Sequence, residues 1–541
     1  MARTLELQNA TILDGSGSER FDANVLIEDG RIQRVADEPA GADRELNLDE
    51  AFLAPGFIDM HAHSELRLFD HPGATEKVTQ GFTLEVGGQD GVSVAPTSDD
   101  CKDGWARRVQ TLLGQKPDWG WNSVEEFLDE LETATTAVNT AYYAPHGNLR
   151  SMVAGFEDRP LDGEELEEVQ EELRTAIDEG AFAMSKGMIY PPSSYGRDDE
   201  FVALAETLGE RNSFMISHVW NETDHVVDSI RRYIDICERG GCDPHVSHLK
   251  VGGKENWGRS SEVLDVFDTA TDRSVDVTFD QYPWTAGSTM LTALLPPWAR
   301  DGSASDILDR LSDSETRAEI RKAIEDDEGD WENLVKAAGT WENILITRTG
   351  SGTHEGETIS DIATHRNTDG FDAMCDLLIE EELDITMADF VMDDEDIERF
   401  LADERGTVCT DGIFGGKPHP RAVATVPRIL DDYIERREVL SLETVVYKLA
   451  GHPADILGLP DRGRVAEGYV ADLVVFDLEK VEARATYEDP MNLSRGIEYV
   501  LVDGEFVVDQ EVPTGQRPGT VLRSIEEWAG PTRPELRSRT E

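Results

Sequence analysis

Eight short apolar segments alternate with acidic helical patterns through the middle of this 541-residue chain, and no other feature constrains its fold as strongly. In order they are PGFIDMHAH, GFTLEVGGQD, NTAYYAPHG, GAFAMSKGM, SFMISHVW, DPHVSHLKV, VDVTFDQYPW and GTVCTDG. Helical patterns such as SVEEFLDELETA and SSEVLDVFDTATD fall between most of them. This rhythm predicts an α/β fold, a (β/α)8 barrel. Residues 300–400 carry helical patterns but no matching strand, and read as an insertion before the eighth strand. The chain ends differ. LELQNATILDG and ANVLIEDGRIQRVAD at the start, and GRVAEGYVADLVVFD and IEYVLVDGEFVVDQ at the end, alternate with a period of two and turn on Asp-Gly. They predict one small β-domain built from residues 1–54 and 461–541 around a barrel at 55–460, with the last dozen residues a loose tail.

Charge narrows the partners. The chain has 50 Lys and Arg against 111 Asp and Glu, a formal charge of −61. Nucleic acid and anionic lipid would be repelled, so neither is expected as a partner. The excess is spread along the whole chain, and only 11 of the basic residues are Lys. An acidic, lysine-poor surface points to a halophilic, high-salt cytosol, where screening makes such self-repulsion tolerable. No apolar run reaches the roughly 18 residues of a membrane span, and the N-terminus reads as a strand with no signal-peptide core. Cys101, Cys237, Cys242, Cys375 and Cys409 are odd in number and form no CxxC pair, which points to a reducing cytoplasm. An oligomer is compatible with the sequence.

Reactive residues gather at the C-terminal ends of the strands, where barrel active sites are built. His61 and His63 lie two apart, so the period of a strand points both imidazoles the same way. His218 ends the fifth strand, His248 the sixth and Asp411 the eighth. Imidazoles and a carboxylate on one rim compose a metal site for one or two Zn2+ ions, with Mn2+, Fe2+ or Co2+ as alternatives. His245 lies three residues before His248 and should face away from it, as a structural residue. Two metals about 3.5–4 Å apart need a bridging anion. Asp90, in GGQDG, is one candidate. Lys186, in MSKGM, is the other, because a lysine carboxylated by CO2 becomes a bidentate bridge; it is slightly favoured, since a Lys at the barrel mouth stands out in so lysine-poor a chain. Asp411 is the candidate acid/base, positioned to take a proton from a metal-activated water and return it to a leaving nitrogen. Tyr190 and Tyr282 could polarise a carbonyl or hold a carboxylate. Lys250 and Arg421 could pair with a substrate carboxylate.

These motifs carry a resemblance. PGFIDMHAH resembles the first-strand signature of the amidohydrolase superfamily, and the split β-domain ending in GRVAEGYVADLVVFD is similar to it as well. More narrowly, GVSVAP, GMIYPP, SHLKVGGKENWG, DQYPWTAGSTML, PHPRA and TGQRPGTVLR together resemble the N-acyl-D-amino-acid deacylase (D-aminoacylase) family over nearly the whole chain, with 300–400 poorly matched. The resemblance implies a zinc-dependent barrel that hydrolyses N-acyl-D-amino acids to a carboxylate and a free D-amino acid. It implies His61, His63, His218 and His248 as metal ligands, Asp411 as acid/base, Lys250, Tyr282 and Arg421 on the substrate carboxylate, and Tyr190 at the scissile carbonyl. Asp90 stands where the family commonly has Cys. Lys186 stands where a small hydroxyl residue is usual, a pairing that would suit a carboxylated-lysine bridge as in hydantoinases and dihydroorotases. VWNETD stands where an Arg-bearing segment is favoured. Rival readings are an amidohydrolase opening a cyclic amide or cleaving a D-dipeptide, and a barrel that only binds.

If the negative surface is an adaptation to salt, the melting temperature falls as salt is withdrawn from molar concentration. A melting temperature indifferent to salt contradicts the halophile reading.

Overall fold

The computed structural model describes residues 4–524 apart from 50, 115, 117, 328 and 330. The expected loose tail lies outside the described residues. Eight parallel strands form the barrel: β1 (Phe57–Asp59), β2 (Phe82–Gly87), β3 (Asn139–Tyr142, continued as Ala144–Pro145), β4 (Met184–Gly187), β5 (Phe214–His218), β6 (Asp243–Val246), β7 (Thr278–Gln281) and β8 (Gly406–Val408). All are buried along nearly their whole length, as parallel strands covered on both faces must be. Ladders run β1–β2–β3 and then β3–β4–β5–β6–β7–β8. The circuit from β8 back to β1 is made beyond the strand ends by a parallel bridge between Ala62 and Gly412, and by Asp411 N–H donating to the His61 carbonyl at 3.0 Å.

One buried carboxylate reinforces that seam. Asp59, at the end of β1, accepts from Thr410 N–H at 2.9 Å and from Thr410 Oγ1 at 2.6 Å, and pairs with the Lys77 ammonium. Lys77 also reaches Thr410 Oγ1 at 2.9 Å and Glu85 on β2 at 3.5 Å. Burial pushes the Glu85 carboxyl up to about 7 despite this cation.

Nine strands from the two chain ends form a separate sheet, in which Phe52–Pro55 pairs antiparallel with Leu473–Phe476. Leu7, Val25, Leu53, Leu473, Val475 and Leu501 form its core. Asp29-Gly30 and Asp503-Gly504 turn two of its hairpins with positive φ at both residues, the twist-compatible type I′ geometry. Around the barrel, the helices Val124–Ala134 and Gly163–Asp178 begin in capping boxes, Ser123 with Glu126 and Asp162 with Glu165. Among the described residues, no helix is long and apolar enough to cross a membrane.

The segment between β7 and β8 differs from expectation. It contains strands as well as helices: Ala286–Met290, Ile344–Thr349 and Ile385–Phe390 form a three-stranded antiparallel sheet. Their pairing partners lie up to 104 residues apart, Ala286 with Phe390, and a bulge interrupts Ile346/Arg348, so local periodicity gave no sign of them. This small sheet leans over the C-terminal end of the barrel and brings Ser288, Thr289 and Asp389 to the cleft above the imidazoles.

Replacing Lys77 with Met leaves Asp59 and Glu85 buried without their cation. Such unpaired burial is expected to cost about 3–5 kcal/mol, read as a lower unfolding midpoint in urea at unchanged slope. A change below about 0.5 kcal/mol, the level of a neutral surface substitution, contradicts a structural role for this seam.

Candidate metal centre and catalytic cleft

Strand ends, not strands, aim the site residues. His61 and His63 follow β1, Asp90 follows β2, His218 closes β5, His248 follows β6 and Asp411 follows β8. Asp90, His248 and Asp411 have φ of 54°, 33° and 46°. Left-handed backbone of this kind is strained for residues with a side chain and persists where surrounding structure enforces it. Here it turns each side chain towards the barrel axis.

Asp90 is the group the imidazoles share. Its Oδ2 lies 3.5 Å from His61 Nε2 and 3.6 Å from His63 Nε2, and its Oδ1 lies 3.5 Å from His248 Nε2. His218 Nδ1 faces His248 Nε2 at 3.1 Å. Asp411 Oδ1 lies 3.3 Å from His63 Nε2 and 3.8 Å from His61 Nε2. Two ligands each about 2.1 Å from a tetrahedral ion stand about 3.4 Å apart, which is the spacing seen here. Both groups, His61/His63/Asp90 and Asp90/His218/His248, hold their donor atoms within 4.8 Å of one another. On the side the groups share, His61 Nε2 and Asp90 Oδ1 are buried with no hydrogen-bond partner among the described residues. Buried polar atoms are normally satisfied, so this donor set fits a divalent cation, and neutral imidazole with carboxylate suits zinc. Burial works against ionisation of Asp90, but His61 and then His248 hold its carboxyl well below the usual carboxylate range.

Further carboxylates orient the ring nitrogens facing outward. Glu222 Oε1 lies 3.2 Å from His248 Nδ1 and its Oε2 3.5 Å from His218 Nε2. Asp280 Oδ2 lies 3.7 Å from His61 Nδ1 and 3.0 Å from His245 Nε2, while its Oδ1 accepts from His248 N–H at 2.6 Å. Such outer partners fix ligand tautomer and direction. Glu222 and Asp280 escaped sequence reasoning. Asp280 stands two residues before Tyr282 at a strand end, and Glu222 four residues after His218, so position offered a signal in each case.

Two orientations differ from expectation. Lys186 does not face the imidazoles. On β4 the neighbouring Ser185 bonds to Gly88 O and Gly91 N–H, and the alternation of the strand sends Lys186 the other way, into the helix layer. There its ammonium sits 4.6, 3.9 and 4.8 Å from the ring centres of Phe201, Trp220 and Tyr233, and burial lowers its pKa to about 7. A carboxylated Lys186 therefore cannot bridge metals held by these imidazoles, and Asp90 would be the bridging carboxylate. His245 does not turn away from the site region either, because β6 ends at Val246 and the left-handed turn at His248 breaks the period of two. The His245 ring meets the same Asp280 oxygen as the His61 ring, and the His248 backbone N–H donates to the other oxygen.

The substrate-side candidates surround the cluster. Tyr190 Oη shares a hydrogen bond with Thr289 Oγ1 at 2.8 Å, and burial lifts its pKa well above that of a free phenol. The Lys250 ammonium lies 2.8 Å from Glu222 Oε2 and 2.6 Å from His248 Nδ1. Arg421 pairs with Asp411 Oδ2 at 2.9 Å, donates to Ser288 O at 3.1 Å, and lies 4.3 Å over the Tyr282 ring. Its Nε and Nη1, and the Tyr282 hydroxyl, are buried with no hydrogen-bond partner among the described residues. Burial opposes it, yet Arg421 holds the Asp411 carboxyl far below the usual range, so Asp411 is ionised.

The bridging assignment predicts that Asp90→Ala purifies with at most half the metal of the unaltered protein by mass spectrometry, while Lys186→Met keeps it. The reverse pattern contradicts the assignment.

Comparison with known proteins identifies the family. The Amidohydrolase family model matches residues 44–508. The chain is 31% identical over 528 residues to N-acyl-D-glutamate deacylase of Alcaligenes xylosoxydans xylosoxydans, covering 97% of this chain and 98% of the relative. It is 29% identical over 520 residues to D-aminoacylase from the same organism, covering 96% and 97%. The crystal structure of N-acyl-D-glutamate deacylase from Bordetella bronchiseptica, complexed with zinc and a phosphonate inhibitor that mimics the tetrahedral intermediate, superposes with a TM-score of 0.83 at 29% identity, covering 97% of this chain and all of that one. L-hydantoinase from Arthrobacter aurescens, at a TM-score of 0.55 and 12% identity, shares the fold. With the family model matching most of its length and the imidazoles converging on one carboxylate, the chain belongs to the amidohydrolase family.

Proposed function

We propose that the protein hydrolyses the amide bond of N-acyl-D-amino acids, releasing a carboxylate and a free D-amino acid. The observation that carries the reading is Asp411 standing 3.3 Å from His63 Nε2 and paired with Arg421, at the edge of the Asp90-centred cluster and open to the cleft. The full-length relatives supply the substrate class, and the D configuration rests on them alone. A divalent cation held by His61, His63, Asp90, His218 and His248 would ionise water near neutral pH and polarise the scissile carbonyl.

The chain's own residues do the rest. Asp411 takes the proton of the attacking water and delivers it to the departing nitrogen. Arg421 keeps Asp411 ionised and fixes its position through the 2.9 Å ion pair. The Tyr190 phenol, protonated throughout, donates to the oxygen on which charge develops. Lys250, the Tyr282 hydroxyl and the unpaired Nη1 of Arg421 offer cationic and hydrogen-bonding groups to the substrate carboxylate. Leu112, Ile189 and Ile413 line the same cleft and leave an apolar wall for the acyl group. The composition supports the further reading that this chemistry takes place in the cytosol of a salt-rich cell, on a small-molecule substrate.

Asp411→Asn keeps the shape and removes the base. Its kcat on N-acetyl-D-methionine is expected to fall about a hundredfold to ten-thousandfold with metal content unchanged. Activity within tenfold of the parent contradicts the mechanism. Faster turnover of N-acetyl-L-methionine or of a hydantoin contradicts the substrate assignment.

A further inference from the structure

One buried carboxylate in the cleft has no place in the scheme above. Asp389 lies near the end of the strand Ile385–Phe390, on the wall that the small antiparallel sheet contributes to the cleft. It is 4% exposed; its own backbone N–H bonds the carboxylate, and among the described residues no ion pair engages it. Its opening is the cleft itself. Burial raises its carboxyl to about 7, and the nearby positive charge of Lys250 does not offset this. Lys250 is already engaged by Glu222 at 2.8 Å.

The surroundings favour a visiting cation. Glu332 places a second carboxylate on the same side of the cleft; one oxygen accepts from Glu222 N–H at 2.6 Å and the other lies 3.9 Å from His218 Nε2. Leu334 and Val391 flank the carboxylates with apolar surface. On the facing strand stands Gly287, where a Cβ would come 2.7 Å from Asp389 Oδ1, so the absence of a side chain there leaves the carboxylate room. An unpaired buried carboxylate is costly to a fold. That cost is recovered if the partner arrives with the substrate. A positive group on an apolar stem matches both the carboxylates and the aliphatic flank.

We infer that Asp389 is a specificity-determining residue that selects N-acyl-D-amino acids with a cationic side chain, the ammonium or guanidinium seating on its carboxylate. The inference rests on the deacylase reading and adds the substrate class to it. The test compares kcat/KM for the N-acetyl derivatives of D-arginine, D-lysine, D-methionine and D-glutamate. In the parent enzyme the arginine-to-methionine ratio is expected to exceed ten, with glutamate the poorest substrate. In Asp389→Asn that ratio falls at least tenfold, mainly through KM. Hydrolysis of the methionine or glutamate derivative in preference to both basic ones overturns the inference and leaves the deacylase reading standing. A ratio unmoved by Asp389→Asn overturns it as well. Hydrolysis of none of the four overturns both. The ratio in the parent enzyme needs no variant, so it decides even if Asp389→Asn fails to fold.

Discussion

The site depends on one buried carboxylate held in common by imidazoles from separate strands. Asp90 has one oxygen facing the pair that follows β1 and the other facing His248. In a dry interior these groups have little water to satisfy them, and His61 Nε2 and Asp90 Oδ1 find no hydrogen-bond partner among the described residues. A carboxylate there is tolerable because positive charge surrounds it. A divalent cation between the two sets would satisfy the orphaned atoms together, which is why the arrangement is better understood as a ligand cage than as a hydrogen-bond network.

Everything around Asp90 serves to bring those groups within ligand distance. The barrel fixes where strands end. Left-handed backbone at Asp90, His248 and Asp411 then turns the side chains inward. Glu222 and Asp280 each face ring nitrogens of more than one histidine, so a single carboxylate sets several imidazole orientations together. At the seam between β8 and β1, Asp59 is tied to Thr410, the residue before the candidate acid/base. Closing the barrel and placing the base are therefore one structural event. Lys250 lines the cleft and Arg421 stands behind Asp411, so two cations are available to a substrate carboxylate in a chain of charge −61.

Much of this was legible because barrels make position meaningful. Apolar runs of the right length, punctuated by acidic helices, located the eight strands, and histidines at their C-terminal ends pointed to a metal-binding rim. What failed was finer. Whether Lys186 or Ser185 faces inward on β4 depends on the phase of a four-residue strand, which its sequence does not set. His245 and His248 were separated by a parity argument that assumes the strand continues, and it stops at Val246. The strands Ile344–Thr349 and Ile385–Phe390, and with them Asp389 at the cleft, depend on pairing over long separations that no local pattern encodes.

The most direct test of the central claim is anomalous X-ray scattering from crystals of the metal-loaded protein, collected at the absorption edge of the bound metal. The account requires a metal peak among His61, His63, Asp90, His218 and His248, with Lys186 unmodified among its aromatic rings. Peaks that avoid Asp90, or a metal held by a carboxylated Lys186, would contradict it.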